Sequence, residues 1–196
     1  IISDDSWSVA SGPILENQFW GGEVYDARLE KPGWSEPGYD QGELLENLSS
    51  KWHPNRGDTN YLDGKWRQAV INERPEGLLM AQLLQEMRVN EEPELIRLIQ
   101  VAENTWICEM GEFYGGWIRL RVKGPAGTEV KIRYSGRLGE DGRIMQQRHS
   151  QNQSSDSYTL KGDPDGEVYE PRFSYHPVRY IQIEGNIEPL SEDDIT

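Results

Sequence analysis

The densest group of chemically capable side chains runs through Trp20-Gly21-Gly22-Glu23-Val24-Tyr25-Asp26-Ala27-Arg28, trailed by Pro32-Gly33-Trp34. Aromatic faces stack on the C–H patches of a polyhydroxylated ligand, while carboxylates and guanidinium groups hydrogen-bond its hydroxyls. These residue types point to carbohydrate, with Trp20, Glu23, Asp26, Arg28 and Trp34 as the candidate contacts. The stretch also reads as a strand with Val24 and Tyr25 packed inward and Glu23, Asp26 and Arg28 in a surface ion pair worth about 0–1 kcal/mol.

Other chemistry finds less support, and no residue is assigned a catalytic role. Glu109 and Glu112 could in principle serve glycosidic acid–base work, which needs carboxyls about 5–9.5 Å apart around a cleft. Among thirty-four acidic residues such a pair is expected by chance, and a loop where a strand enters a sandwich suits it better. His53, His149 and His176 lie far apart without ligand spacing, and His176 reads as a turn residue with a packed, hydrogen-bonded ring. No Gly-x-Ser-x-Gly turn presents a nucleophile. Asp163-Pro164-Asp165-Gly166-Glu167 resembles part of a calcium loop but lacks the ligand ladder, so a hairpin turn is the better reading. Metal ligands stay unassigned.

The bulk numbers set limits. With 196 residues the chain suits two domains of about 100. A formal charge of −14 disfavours nucleic acid and anionic membranes as partners but not a neutral sugar. The single cysteine, Cys108, leaves no internal disulfide. No apolar run approaches the roughly 20 residues of a membrane span, and the first 20 residues do not form a signal peptide. The expectation is a soluble chain, cytoplasmic rather than secreted, whose abrupt start suggests a fragment.

Gly 20 and Pro 11 with 35% hydrophobic residues predict an all-β chain with frequent turns and little helix, and the regular spacing of the strands below points to an antiparallel β-sandwich. Short strands are expected at Trp7–Ala10 and Lys65–Ile71, a short helix near Glu43–Ser50, and a loop at Lys31–Gly38. Leu78–Met87 fits a helix or a buried strand, and Glu91-Glu92-Pro93-Glu94 marks a linker near 88–95. Ile118, Leu120 and Val122 alternate with Arg119, Arg121 and Lys123, and Val130, Ile132 and Tyr134 with Glu129, Lys131 and Arg133. With the Gly124-Pro125-Ala126-Gly127 turn between them, these two predict a hairpin. Further strands are expected at Asp156–Lys161, Val168–Phe173 and Val178–Glu184, with a turn at Ser174–Pro177.

A series of motifs in fixed order carries a resemblance: Ser3-Asp4-Asp5-Ser6-Trp7, Ser11-Gly12-Pro13-Ile14, Gly22–Arg28 and Gly33-Trp34, then Gly116-Trp117-Ile118-Arg119-Leu120, Lys123–Thr128, Tyr158–Gly162 and Tyr169–His176. Together they resemble the non-catalytic β-sandwich region of bacterial α-L-rhamnosidases over nearly the whole chain. Glu109–Gly115 departs from the family's usual Asp-Phe-Gly-Gln-Asn run, and His176-Pro177-Val178-Arg179 stands for His-Gly-Phe-Arg.

The resemblance implies residues 1–90 as the C-terminal part of a jelly-roll carbohydrate-binding-like domain, with an insertion near 41–64, and residues 91–196 as a smaller antiparallel β-sandwich. It implies an accessory role beside a catalytic (α/α)6 barrel that removes terminal L-rhamnose from glycosides, with a rhamnose-containing carbohydrate as partner and calcium as the accompanying ion in some members. The alternative is a stand-alone carbohydrate-binding or protein-interaction module without catalysis. A sheet edge left open by half a jelly roll would favour a homo-oligomer.

Overall fold

The computed structural model describes residues 4–45, 64–71, 77–78, 80–145 and 155–196. Most of the expected 43–50 helix and 41–64 insertion, together with His53 and His149, lies outside the described residues. The chain forms two compact units, Ile1–Gly12 with Lys31–Asn90, and Pro13–Glu30 with Glu91–Thr196.

In the first unit β1 (Ser8–Val9) pairs antiparallel with β4 (Arg67–Gln68), placing the two short strands where alternation predicted them. Leu45 bridges Arg67 on the other side. The Pro- and Gly-rich segment is a run of turns, with Trp34 N–H on the Lys31 carbonyl (3.2 Å) and Glu36 N–H on that of Gly33 (2.8 Å). Leu78 to Met87 is neither helix nor buried strand: Leu78, Met80, Leu83, Leu84 and Met87 are exposed along an irregular path. A short apolar run does not specify burial unless its neighbours supply a partner surface.

The second unit is built on a seven-stranded sheet in the order β2-β3-β9-β8-β11-β6-β5. Its members are β2 (Ile14–Gln18), β3 (Gly22–Asp26), β5 (Leu95–Ala102), β6 (Thr105–Gly116), β8 (Glu129–Ser135), β9 (Ser155–Thr159) and β11 (His176–Glu184). All pairs are antiparallel except β3 with β9. The remaining pair, β7 (Leu120–Val122) with β10 (Glu167–Tyr169), stands apart from this sheet.

Residues 117–134 therefore do not form the expected hairpin. β7 pairs with β10 and is extended by the chain terminus, where Arg119 and Thr196 exchange both backbone hydrogen bonds (2.7 and 2.9 Å). β8 pairs with β9 and β11 instead. Alternation reveals that one face of a strand is buried but not which strand lies beside it. Here the inward faces of both strands meet in one core: Leu120, Val122 and Tyr169 cluster with Val130, Ile132, Tyr158, Ile181 and Ile183. Helix is confined to single 3₁₀ turns at Ala27–Leu29 and Glu192–Asp194 among the described residues, so the all-β expectation stands.

Candidate functional site

Residues 19–28 lie within the second unit, and backbone constraints divide their side chains between core and surface. Phe19-Trp20-Gly21 turns β2 into β3, and Gly22 sits at φ 107° where an added Cβ would be 1.9 Å from the Ser155 carbonyl oxygen. Only glycine permits that approach of two backbones. β3 then runs parallel to β9, burying Glu23 and Tyr25.

Glu23 is fully buried, its carboxylate accepting from Tyr169 Oη (3.3 Å) and the Arg172 N–H (3.2 Å). Its own N–H donates to Asp156 Oδ1 at 2.8 Å. Asp156 also accepts from Tyr134 Oη (2.6 Å) and Ser174 Oγ (2.9 Å), and His176 Nε2 lies 3.2 Å from both of its oxygens. The His176 ring stacks on Tyr134 with centroids 4.0 Å apart. His176 is packed and hydrogen-bonded as expected, but it opens β11 and is not in a turn. Its partner Asp156 was absent from the sequence-derived candidates; the inward phase of Asp156, Tyr158 and Leu160 is the signal that could have marked it.

Burial in this network raises the Glu23 pKa, the largest influence on it, and also raises the hydroxyls of Tyr134 and Tyr169. Both tyrosines remain donors across the physiological range. The same device recurs where Tyr25 donates to Glu30 (2.9 Å) and Tyr158 to Glu167 (2.7 Å). Glu167 also accepts the N–H groups of Lys161, Gly162 and Asp163 at 2.8–3.1 Å. The Asp163–Glu167 segment is thus a turn folded around a carboxylate, closed by the Gly166 N–H on the Asp163 carbonyl (3.1 Å).

Asp26 and Arg28 form a bidentate pair, with Nε on Oδ1 (2.9 Å) and Nη2 on Oδ2 (2.7 Å). Asp26 Oδ1 also accepts the Arg28 N–H, capping the 3₁₀ turn. The Arg28 guanidinium holds the Asp26 carboxyl below the usual range. Glu109, one of the acid–base candidates, is likewise engaged, in an ion pair with Arg97 (2.7 Å). Both oxygens of Glu23 and of Asp26 accept from protein donors. Among the described residues no three His, Cys, Asp or Glu side chains converge as ligands.

Trp20 points outward, 64% exposed, and forms a cluster with Phe19 (4.7 Å, edge-on) and Tyr175 (5.9 Å). Phe19 stacks on Tyr175 at 5.7 Å, and Tyr175 N–H donates to the Phe19 carbonyl. The hydroxyl end of Tyr175 sits over Gly115, where an added Cβ would be 1.8 Å from its Oη. Ser174 and His176 are buried on either side of the half-buried Tyr175, so the buried network anchors its ring. Trp34 is 63% exposed in the first unit. Phe19 and Tyr175 were missed in the sequence because neither lies among the acids and arginine that define the motif.

The described residues make an all-β fold with exposed aromatic rings near a buried carboxylate network, and comparison with known proteins is specific. Residues 1–91 match the α-L-rhamnosidase N-terminal domain, and residues 99–196 match the bacterial α-L-rhamnosidase concanavalin-like domain. The chain belongs to the bacterial α-L-rhamnosidase family, in its N-terminal region. It is 34% identical to an α-L-rhamnosidase of Streptomyces avermitilis over 94% of the chain and 16% of that enzyme, and 27% identical to one of Formosa agariphila over 94% and 17%. The crystal structure of the Streptomyces avermitilis enzyme complexed with L-rhamnose superposes with a TM-score of 0.78 at 31% identity, over all of this chain and 17% of that one. The enzyme from Dictyoglumus thermophilum gives 0.77 at 31%, over 100% and 20%. The chain spans about a sixth to a fifth of the length of these relatives. The family regions are contiguous in sequence, whereas Pro13–Glu30 falls in the first region and in the second packing unit. No helix among the described residues is long and apolar enough to cross a membrane.

Proposed function

We propose that the chain is the accessory β-sandwich portion of an α-L-rhamnosidase, supporting a catalytic (α/α)6 barrel and contacting the rhamnosylated substrate. On this reading residues 1–90 derive from a jelly-roll carbohydrate-binding-like domain and residues 91–196 from the following β-sandwich. Hydrolysis of the terminal L-rhamnose takes place elsewhere in the parent enzyme. The observation that carries the reading is the match of both family regions along one chain.

In the second unit Trp20 and Arg28 supply sugar contacts, with Asp26 holding the Arg28 guanidinium and Glu23 acting through the buried network that orients the turn bearing Trp20; Trp34 is a separate sugar contact of the first unit. Trp20 offers an exposed ring face and Arg28 keeps a half-exposed guanidinium beyond its pairing with Asp26. The test is twofold. The isolated chain is expected to leave an aryl rhamnoside unhydrolysed, and turnover at the rate of a complete enzyme would refute the accessory role. Calorimetric titration with L-rhamnose, with and without calcium, is expected to give heat that Trp20→Ala removes; silence in both buffers would refute the sugar contact.

A further inference from the structure

The seven-stranded sheet has a second face, covered at Ile107 and Gln182 and open toward the start of β11, where Pro177 and Arg179 are exposed. On β11, Val178, Ile181 and Ile183 enter the core, so Tyr180, Gln182 and Glu184 point away from it. On β6, Cys108 and Met110 enter the core and Glu109 points away. The aromatic cluster at Tyr175 covers the outward side of Gly115 on β6, which places it at one end of this same face.

Between the cluster and Tyr180 the sheet is deformed. Tyr114 pairs with Val178 and Glu109 with Tyr180, so Met110–Phe113 stand opposite Arg179 alone. A bulge of this kind re-aims side chains out of the ladder. Phe113 arches across the face to lie over Gly136, where an added Cβ would be 2.8 Å from its ring, yet 62% of the residue stays exposed. Past the bulge, Tyr180 Oη reaches Glu109 Oε1 at 3.5 Å. One row further on, the Ile144 N–H donates to Gln182 (2.9 Å), and that loop closes the open floor.

We infer that this outward face, from Phe19, Trp20 and Tyr175 past Phe113 to Tyr180 and Glu109, binds an extended neutral oligosaccharide rather than a single sugar. The inference rests on the carbohydrate reading above and lengthens it. Apolar ring faces followed by a hydroxyl and a carboxylate match the C–H patches and hydroxyls that alternate along a sugar chain. At about 3.3 Å per residue, Tyr175 to Tyr180 spans about 16 Å, longer than one pyranose ring. A net charge of −14 disfavours uronate-rich chains and leaves neutral ones. The two rings seated on Gly115 and Gly136 are held before any ligand arrives, which lowers the ordering cost of binding.

Calorimetric titration of the full chain with L-rhamnose and with a linear trisaccharide of L-rhamnose, both without calcium, tests this. The trisaccharide is expected to bind at least about tenfold tighter than the monosaccharide, and Phe113→Ala to erase that difference while Phe113→Trp retains it. Phe113 is exposed, so an unchanged melting temperature of Phe113→Ala shows that folding is not the cause. Equal affinities for the two sugars, or a trisaccharide affinity indifferent to Phe113→Ala, would overturn the extended face and leave recognition at Trp20 standing. Heat from neither sugar would overturn both. Self-association reversed by Phe113→Ala would assign the face to a second copy of the chain and overturn it as well.

Discussion

Glu23 illustrates how a residue type that signals ligand chemistry in a sequence can serve the fold. No solvent reaches its carboxyl, and desolvation raises its pKa above the ordinary value. The folded chain therefore binds this proton more tightly than the unfolded chain. Its contribution to stability is complete at low pH and is lost as pH rises through the folded pKa. Glu23→Gln removes the ionisation while keeping an oxygen for the Arg172 N–H and an amide that can donate to Tyr169 Oη. The expected outcome is a melting temperature near wild type at pH 5 and above it at pH 8, because only the wild type must bury a charge. Glu23→Ala instead leaves the Arg172 N–H and the Tyr169 hydroxyl unpaired, at about 1–3 kcal/mol each, and should be destabilised at both pH values. Thermal denaturation of the three proteins at pH 5 and 8 is the check; a Gln variant that loses stability with rising pH as steeply as wild type would refute the assignment.

At the scale of elements, what could be read in the sequence depended on whether the signal was local. Strands β1, β4, β9 and β11 follow from alternation and turn residues within a few positions. The β5–β6 hairpin has a local signal too, Glu103-Asn104 between two apolar runs, with Asn104 at φ 58°, a left-handed conformation that asparagine tolerates in turns. The partners of β7 and β8 are another matter, since Glu167–Tyr169 and the chain terminus are far away in sequence. The same distance hid the site. Trp20, Asp26 and Arg28 announced themselves by crowding, but Tyr175, Asp156 and His176 join them only through the parallel β3–β9 contact and the start of β11. That contact depends on Gly22. Gly22→Ala would force a Cβ into the Ser155 carbonyl and a side chain into a positive φ, a conformational cost of about 1–3 kcal/mol before the clash is counted. Gly142 shares a positive φ, 73°, but has nothing within 4 Å of its missing Cβ. Gly142→Ala should therefore lose about 1 kcal/mol, whereas Gly22→Ala should lose clearly more and blunt the near-UV dichroism of the Trp20 cluster. Equal losses in chemical denaturation would show that the close β3–β9 approach is not the constraint on this position.

For the whole molecule, the accessory role proposed above requires surfaces held in place without help from the catalytic part, so the second unit should have a core sufficient to fold. The core cluster of that unit draws on β3 and on every strand from β6 to β11, joining early and late segments of the chain. Cys108 reports on it directly. It is the chain's one thiol, fully buried on β6 between β5 and β11, and burial pushes its pKa up to about 12. Neither exposure nor thiolate character favours reaction with a disulfide reagent in the folded state. Modification then requires the sheet to open, and its rate relative to the denatured chain measures the open population. A domain stable by about 5 kcal/mol opens in fewer than one molecule in a thousand. Labelling at pH 8 is accordingly expected to be at least about a thousandfold slower than in denaturant, and to accelerate in parallel with loss of far-UV β signal. Labelling within tenfold of the denatured rate would mean that the isolated sheet is not closed around Cys108. The proposed sugar-binding face would then depend on other parts of the proposed parent enzyme for its geometry.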